Sequence, residues 1–140
     1  SLLPNWRLGL VTSIEFILGE MRTPEAADVL AGEIALSLDI SRVMVKDLPI
    51  IAGHPVRDAL IKIGNPSIPA VLRNLEESDD PKVRELSLKV ICYIEKGDKD
   101  IVQLRLQKAL SAQQDSKKRA RLQSAIQTLL DPKFRQMATN

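Results

Sequence analysis

The feature that most constrains the fold is a ten-residue pattern that occurs twice, over 55–64 and again over 82–91, at a constant offset of 27 residues. Valine, arginine and lysine recur unchanged, and an aspartate in the first copy becomes a glutamate in the second. Both copies consist of residues that favour helices and carry apolar side chains at helical spacing. A short repeat of this kind favours stacked helix pairs over a single closed core, because each pair needs a neighbour to cover its apolar face.

Composition agrees with a helical core. The chain has 140 residues, of which 44% are hydrophobic and only 3% aromatic, so its core must be built from aliphatic side chains. Its length fits one domain, which we place at 1–132. Residues 133–140 have few apolar groups, and we expect this tail to fray.

Caps and prolines divide the chain into helices. The first is predicted over about 6–20, with Leu10, Ile14, Ile17 and Leu18 on its buried face. Gly19 and the Thr23-Pro24 pair are expected to end it. Thr23 and Pro24 are a suitable cap and first residue for a second helix, whose buried stripe runs to Leu38. The segment 39–54 is the least readable, and a short or distorted helix is predicted there.

The second half of the chain is divided more regularly. Helices are predicted over 55–63, from Pro66, over 82–95, over 99–113 and over 116–130. Gly64 favours a helix end, and the aspartates before the last three helices are suitable N-caps. The helix over 82–95 is apolar on two faces, as a helix between two neighbours must be. We expect the last helix to pack through residues that include Leu129 and Leu130.

Residues 53–96 resemble consecutive halves of HEAT-like repeats, in particular the compact bacterial units of phycobilisome-lyase-like proteins. The resemblance is carried by Val56-Arg57, by Gly64-Asn65-Pro66 before a proline-containing helix, and by Asp79-Asp80-Pro81 before Val83-Arg84. It implies an all-α fold, a right-handed α-α superhelix of stacked antiparallel helix pairs.

The same resemblance implies a structural ladder of arginines and turn aspartates, here Arg57 and Arg84 with Asp79 and Asp80. A guanidinium group can bind a carboxylate and also the unpaired carbonyls at a helix end.

No residue pattern indicates catalysis. His54 is the only histidine and Cys92 the only cysteine, so neither a zinc site nor a disulfide within the chain is predicted. No glycine-rich phosphate loop is present, and the carboxylates at 76–80 lack the ligand spacing of a calcium loop. We therefore predict a non-enzymatic protein with no metal and no cofactor. The longest apolar runs are too short to span a membrane, and the compartment is left open.

Charge is unevenly distributed. Residues 101–140 contain eight lysines or arginines and two aspartates, whereas the whole chain has a net charge of only +2. The densest cluster is Lys117, Lys118, Arg119 and Arg121, which could contact phosphate groups. The chain lacks the interleaved aromatic residues that would stack on bases.

The predicted function is a protein–protein interaction or scaffold module whose partner is not specified. Its expected contact surface comprises Lys82, Glu85, Lys89, Lys117, Lys118, Arg119 and Arg121. Nucleic-acid binding through the basic C-terminal helix is the first alternative, and an accessory lyase-like role, which rests on fold analogy alone, is the second. Incompletely covered terminal helices could also produce a weak homodimer in place of a monomer.

Overall fold

All regular secondary structure is helical in the part of the chain that the computed structural model describes, namely residue 14, residues 16–35 and residues 55–134. Residue 14 and residues 16–21 are helical, and a short 3-10 turn spans Asn65–Ser67. The remaining elements are α1 (Pro24–Gly32), α2 (Pro55–Ile63), α3 (Ile68–Glu77), α4 (Pro81–Ile94), α5 (Lys99–Ala112) and α6 (Ser116–Leu130). The all-α prediction is confirmed for these residues.

Side-chain caps fix where most of these helices begin. Asp80 accepts a hydrogen bond from the Lys82 amide at 2.9 Å. Asp98 and Asp115 cap α5 and α6 in the same way, and the Thr23 hydroxyl accepts from the Ala26 amide at 3.2 Å. These caps satisfy amides that have no partner within the helix. The predicted starts of α1, α4, α5 and α6 are therefore confirmed, each to within one residue.

Two predictions about the first part of the chain are wrong. Gly19 does not end a helix but lies inside the helical segment 16–21, where it is buried against α2. A Cβ atom at Gly19 would lie 3.2 Å from the Cβ of Ala59, so a hydrogen at this position permits the close contact. Ile14 and Ile17 are 47% and 58% exposed, although both were expected to be buried.

The helix α1 is shorter than expected. It ends at Gly32, where the Glu33 amide donates to the Leu30 carbonyl in a tighter turn. Ile34, beyond the helix end, is still buried. The predicted extension to Leu38, like Leu10, the segment 39–54 and His54, lies outside the described residues.

Three smaller corrections concern the later helices. The helix predicted from Pro66 begins as the 3-10 turn and becomes α-helical at Ile68. Helix α5 ends at Ala112, one residue before the predicted end. Leu130 is 51% exposed, because it is the last residue of α6 and faces away from the buried Leu129.

The core is aliphatic, and α4 contributes buried side chains from two faces. Leu86, Val90 and Ile91 lie on one face, and Leu88 and Cys92 on the other, with all five no more than 5% exposed. This pattern fits the contacts of α4, which packs on α2 and α3 and also touches α5 and α6. Each fully buried leucine contributes roughly 1.5–3 kcal/mol. The prediction of a helix enclosed between neighbours is confirmed.

The order of packing follows from three helix pairs. Short turns join α3 to α4 and α5 to α6, which makes each pair an αα-hairpin. The first pair consists of α1 and α2, which pack on each other. Helix α1 also packs on α3, and α2 also packs on α4, so this pair lies beside the α3–α4 pair. The third pair contacts α3 mainly through its second helix, α6. No described helix is both long enough and apolar enough to cross a membrane.

Candidate interaction surface

Arg84 holds together the turn between α3 and α4. Its Nη1 atom donates to the carbonyls of Leu75 and Ser78 at 2.7 and 3.0 Å, and its Nη2 atom donates to the Arg121 carbonyl at 2.6 Å. The first two acceptors lie at the C-terminal end of α3, where helix carbonyls lack partners in the helix. The third is in α6, so a single guanidinium group joins three helices.

Arg121 binds the same turn from the opposite side. Its Nε and Nη2 atoms donate to the two carboxylate oxygens of Asp79 at 2.8 and 3.0 Å, and its Nη1 atom donates to the Glu76 carbonyl at 3.0 Å. This two-pronged geometry is the one that a guanidinium group favours with a carboxylate. Of the residues predicted for the ladder, Arg84 and Asp79 both lie at this turn, but they are not paired with each other: Asp79 is held by Arg121, whereas Arg84 binds carbonyl groups.

The other two residues expected in the ladder have local roles. Asp80 caps α4. Arg57 lies on α2, where its Nε atom donates to Asp58 at 3.2 Å and its guanidinium carbon lies 5.8 Å from the centre of the Tyr93 ring. The two arginines of the 27-residue repeat thus have different partners.

A second arginine repeats the geometry of Arg84. Arg119 donates through Nη1 to the carbonyls of Leu110 and Gln113, at 2.7 and 2.8 Å, at the C-terminal end of α5. In both cases the acceptors lie nine and six residues before the arginine, and an aspartate cap lies four residues before it. The α3–α4 and α5–α6 turns are therefore built alike, at an offset of 35 residues.

The charges at the α3–α4 turn alter one another. The hydrogen bonds from Arg121, followed by its charge, lower the pKa of Asp79, and the bonded Asp79 raises the pKa of Arg121. Burial, followed by the charge of Arg121, lowers the pKa of Arg84 below its ordinary value. At neutral pH all three groups are ionised, so the turn is held by charge-assisted hydrogen bonds.

A small groove opens beside this turn, between α4 and α6. Its volume is about 260 Å³, and its floor includes the buried Leu75, Leu88 and Ala125. Its edges are polar, and they comprise Asp79, Arg84, Glu85 and Thr128 together with Pro81. The groove could hold one side chain of a partner, and it is too small for most organic ligands.

One of the predicted surface residues of α4 lines this groove. Glu85 lines it directly, and Lys89 forms an ion pair with Glu85 at 2.6 Å. Lys82 is exposed on the first turn of the same helix. Glu85 is 55% exposed and Lys89 only 20%, and a surface pair of this kind contributes roughly 0.5 kcal/mol or less to stability.

Most of the basic cluster on α6 is engaged with the protein itself. Arg119 and Arg121 bind the carbonyls and carboxylate described above, and Lys118 lies 3.7 Å from Glu77. Lys117 is exposed. Because the arginines use several of their donors internally, the cluster offers fewer free contacts to a phosphate backbone than its sequence indicates.

Asn74 has a role that sequence reasoning missed. Its amide nitrogen donates to the Ala31 carbonyl at 2.9 Å and to the Ser87 hydroxyl at 3.3 Å, which links α1, α3 and α4. Ser87 is fully buried. The sequence feature that could have indicated this role was a lone amide on the otherwise apolar face of α3, where a buried polar group needs a hydrogen-bond partner.

Arg121 was expected at the surface, and its role in the turn was also missed. The recurrence of an aspartate followed four residues later by an arginine could have revealed Arg119 as the equivalent of Arg84. It could not have revealed Arg121, which reaches a turn 42 residues away in sequence.

No protein-family model matches this chain, and no curated protein or solved structure does so either.

Proposed function

We propose that this protein is a non-catalytic interaction module of HEAT-like type, which binds a protein partner along the groove between α4 and α6. In this proposal, stacked antiparallel helix pairs form a right-handed superhelix. The observation that carries the proposal is the fixed geometry of the groove, since Arg84 and Arg121 hold its walls through six hydrogen bonds. A preformed surface binds at a lower entropic cost than one that must become ordered.

The composition of the groove indicates what it would accept. An apolar floor with charged edges suits an aliphatic or long basic side chain, whose stem would lie on Leu88 and Ala125 and whose end would reach Glu85. Lys82 and Lys89 would contact acidic groups around this anchor. Contacts that surround a central anchor typically provide specificity more than affinity.

The test is to fill the groove. Thr128 is exposed and lines the groove, so Thr128→Trp should block it without disturbing the core. Gln123→Trp provides a matched control, because Gln123 is exposed on the same helix and is not one of the residues that line the groove. Proteins bound from an extract of the native host are compared by quantitative mass spectrometry for the two variants and the native sequence.

We expect the control to retain every partner and Thr128→Trp to lose at least one of them. If both variants bind the same set as the native protein, the groove assignment fails. Heparin chromatography distinguishes the nucleic-acid alternative, which predicts retention that falls steeply with salt.

A further inference from the structure

Helices α1 and α5 both expose large apolar side chains. On α1, Val29 is 60% exposed, and on α5, Leu104 and Ile101 are 66% and 41% exposed. These helices lie at opposite ends of the described assembly, because α1 packs on α3, α3 packs on α6 and α6 packs on α5. In a stack of helix pairs, the end helices need a polar outer face to stay apart from other molecules, and neither end has a fully polar one.

The two ends differ in charge. Helix α1 contains Glu25 and Asp28 beside Val29 and has no lysine or arginine, and Asp28 is already ion-paired with Arg73 of α3 at 3.2 Å. Helix α5 contains three basic residues and one acidic residue, and one of the basic residues, Arg105, is paired with Glu95. On α5, Lys108 is exposed one turn after Leu104. One end therefore combines an apolar side chain with carboxylates, and the other combines apolar side chains with an ammonium group.

We propose that this protein associates with a second copy of itself head to tail, with α1 of one copy packed on α5 of the next. Val29 would cover Leu104, and the carboxylates of α1 would lie near Lys108. Such a contact uses two different surfaces, so it leaves one of each kind free and can extend. The inference rests on the proposed function, since a second copy would be one of the protein partners of the module. It uses surfaces other than the groove.

The test is directed cross-linking between two single variants, Val29→Cys and Leu104→Cys, mixed in equal amounts under mild oxidation. Cys92 is buried and its pKa is raised to about 11, so it should not compete. Head-to-tail packing predicts a mixed dimer that is at least about tenfold more abundant than a dimer of either variant alone, because a disulfide requires close Cα atoms. The roughly 1:2:1 ratio expected from random collision, or no dimer up to about 1 mM protein, would overturn the proposal.

Charge reversal gives a second, independent readout by analytical ultracentrifugation. We expect Glu25→Lys to raise the dissociation constant about tenfold or more, since it places like charges together, and Lys108→Glu on the same chain to restore it. A dissociation constant that neither change affects would refute the geometry. The groove variant Thr128→Trp should associate normally, so failure of this inference is distinguishable from failure of the proposed function.

Discussion

Replacing Arg84 provides the sharpest test of how the α3–α4 turn is stabilised. In Arg84→Ala, three carbonyls lose a charged donor at 2.6–3.0 Å. A hydrogen bond to a charged group contributes roughly 1.5–3 kcal/mol, and less where water can replace it. Because Arg84 is only partly buried, we take about 1 kcal/mol for each bond, and the expected loss of unfolding free energy is about 3 kcal/mol.

Arg119 is a matched control for this experiment. It makes two bonds of the same kind with the same sequence spacing, but at an exposed site. Water can replace both bonds there, so Arg119→Ala should cost no more than about 1 kcal/mol. Thermal unfolding followed by circular dichroism measures both variants, and a difference of 2 kcal/mol corresponds to roughly 8 °C for a domain of this size.

The reasoning is refuted if the two variants unfold at the same temperature. An equal loss would mean that the three-helix contact of Arg84 contributes no more than an ordinary exposed helix cap. The variant Arg84→Lys separates charge from geometry, since an ammonium group cannot reach three carbonyls in a fixed fork. We expect it to recover less than half of the loss.

Three further predictions follow from single residues. Arg121 lowers the pKa of Asp79, so the ion pair should stabilise the fold above the ordinary aspartate pKa near 4 and should lose this effect as the pH falls further. Asp79→Asn should therefore reduce the fall in unfolding temperature between pH 6 and pH 3. An unchanged pH profile would contradict the ion pair. Cys92 should not react with a thiol reagent at pH 8 until the protein unfolds, because burial raises its pKa to about 11; rapid labelling of the native protein would show that the site opens. Gly64 has a φ of 80° and a ψ of −137°, a backbone conformation that residues with side chains disfavour. Gly64→Ala should therefore lower the free energy of unfolding in urea by roughly 1–3 kcal/mol. An unchanged urea midpoint would exclude this strain.

The helices could be predicted where their ends depend on local chemistry. Asp80, Asp98 and Asp115 bind amides two or three residues away, so the sequence alone places the starts of α4, α5 and α6. Gly64 ends α2 for an equally local reason. Buried stripes were predicted well for α4, because its neighbours cover both apolar faces.

Predictions failed where the outcome depends on distant parts of the chain. The exposure of Ile17 and Leu130 is decided by which helices cover them, and helical periodicity does not contain that information. Gly19 was read as a helix end, but its small size serves a contact with Ala59, which is 40 residues away. The partner of Asp79 could not be predicted either, because tertiary structure decides whether Arg84 or Arg121 reaches its carboxylate.

The Asn74 amide has a consequence for how the helices can move. Its two hydrogen bonds connect the Ala31 carbonyl, near the end of α1, to the buried Ser87 hydroxyl on α4. If α1 slid along α3 by one helical turn, about 5.4 Å, the amide would lose the Ala31 carbonyl and keep only the Ser87 hydroxyl. Leaving one amide hydrogen unpaired costs roughly 1–3 kcal/mol. The helices can therefore tilt slightly about this point, but the amide acts as a stop against translation.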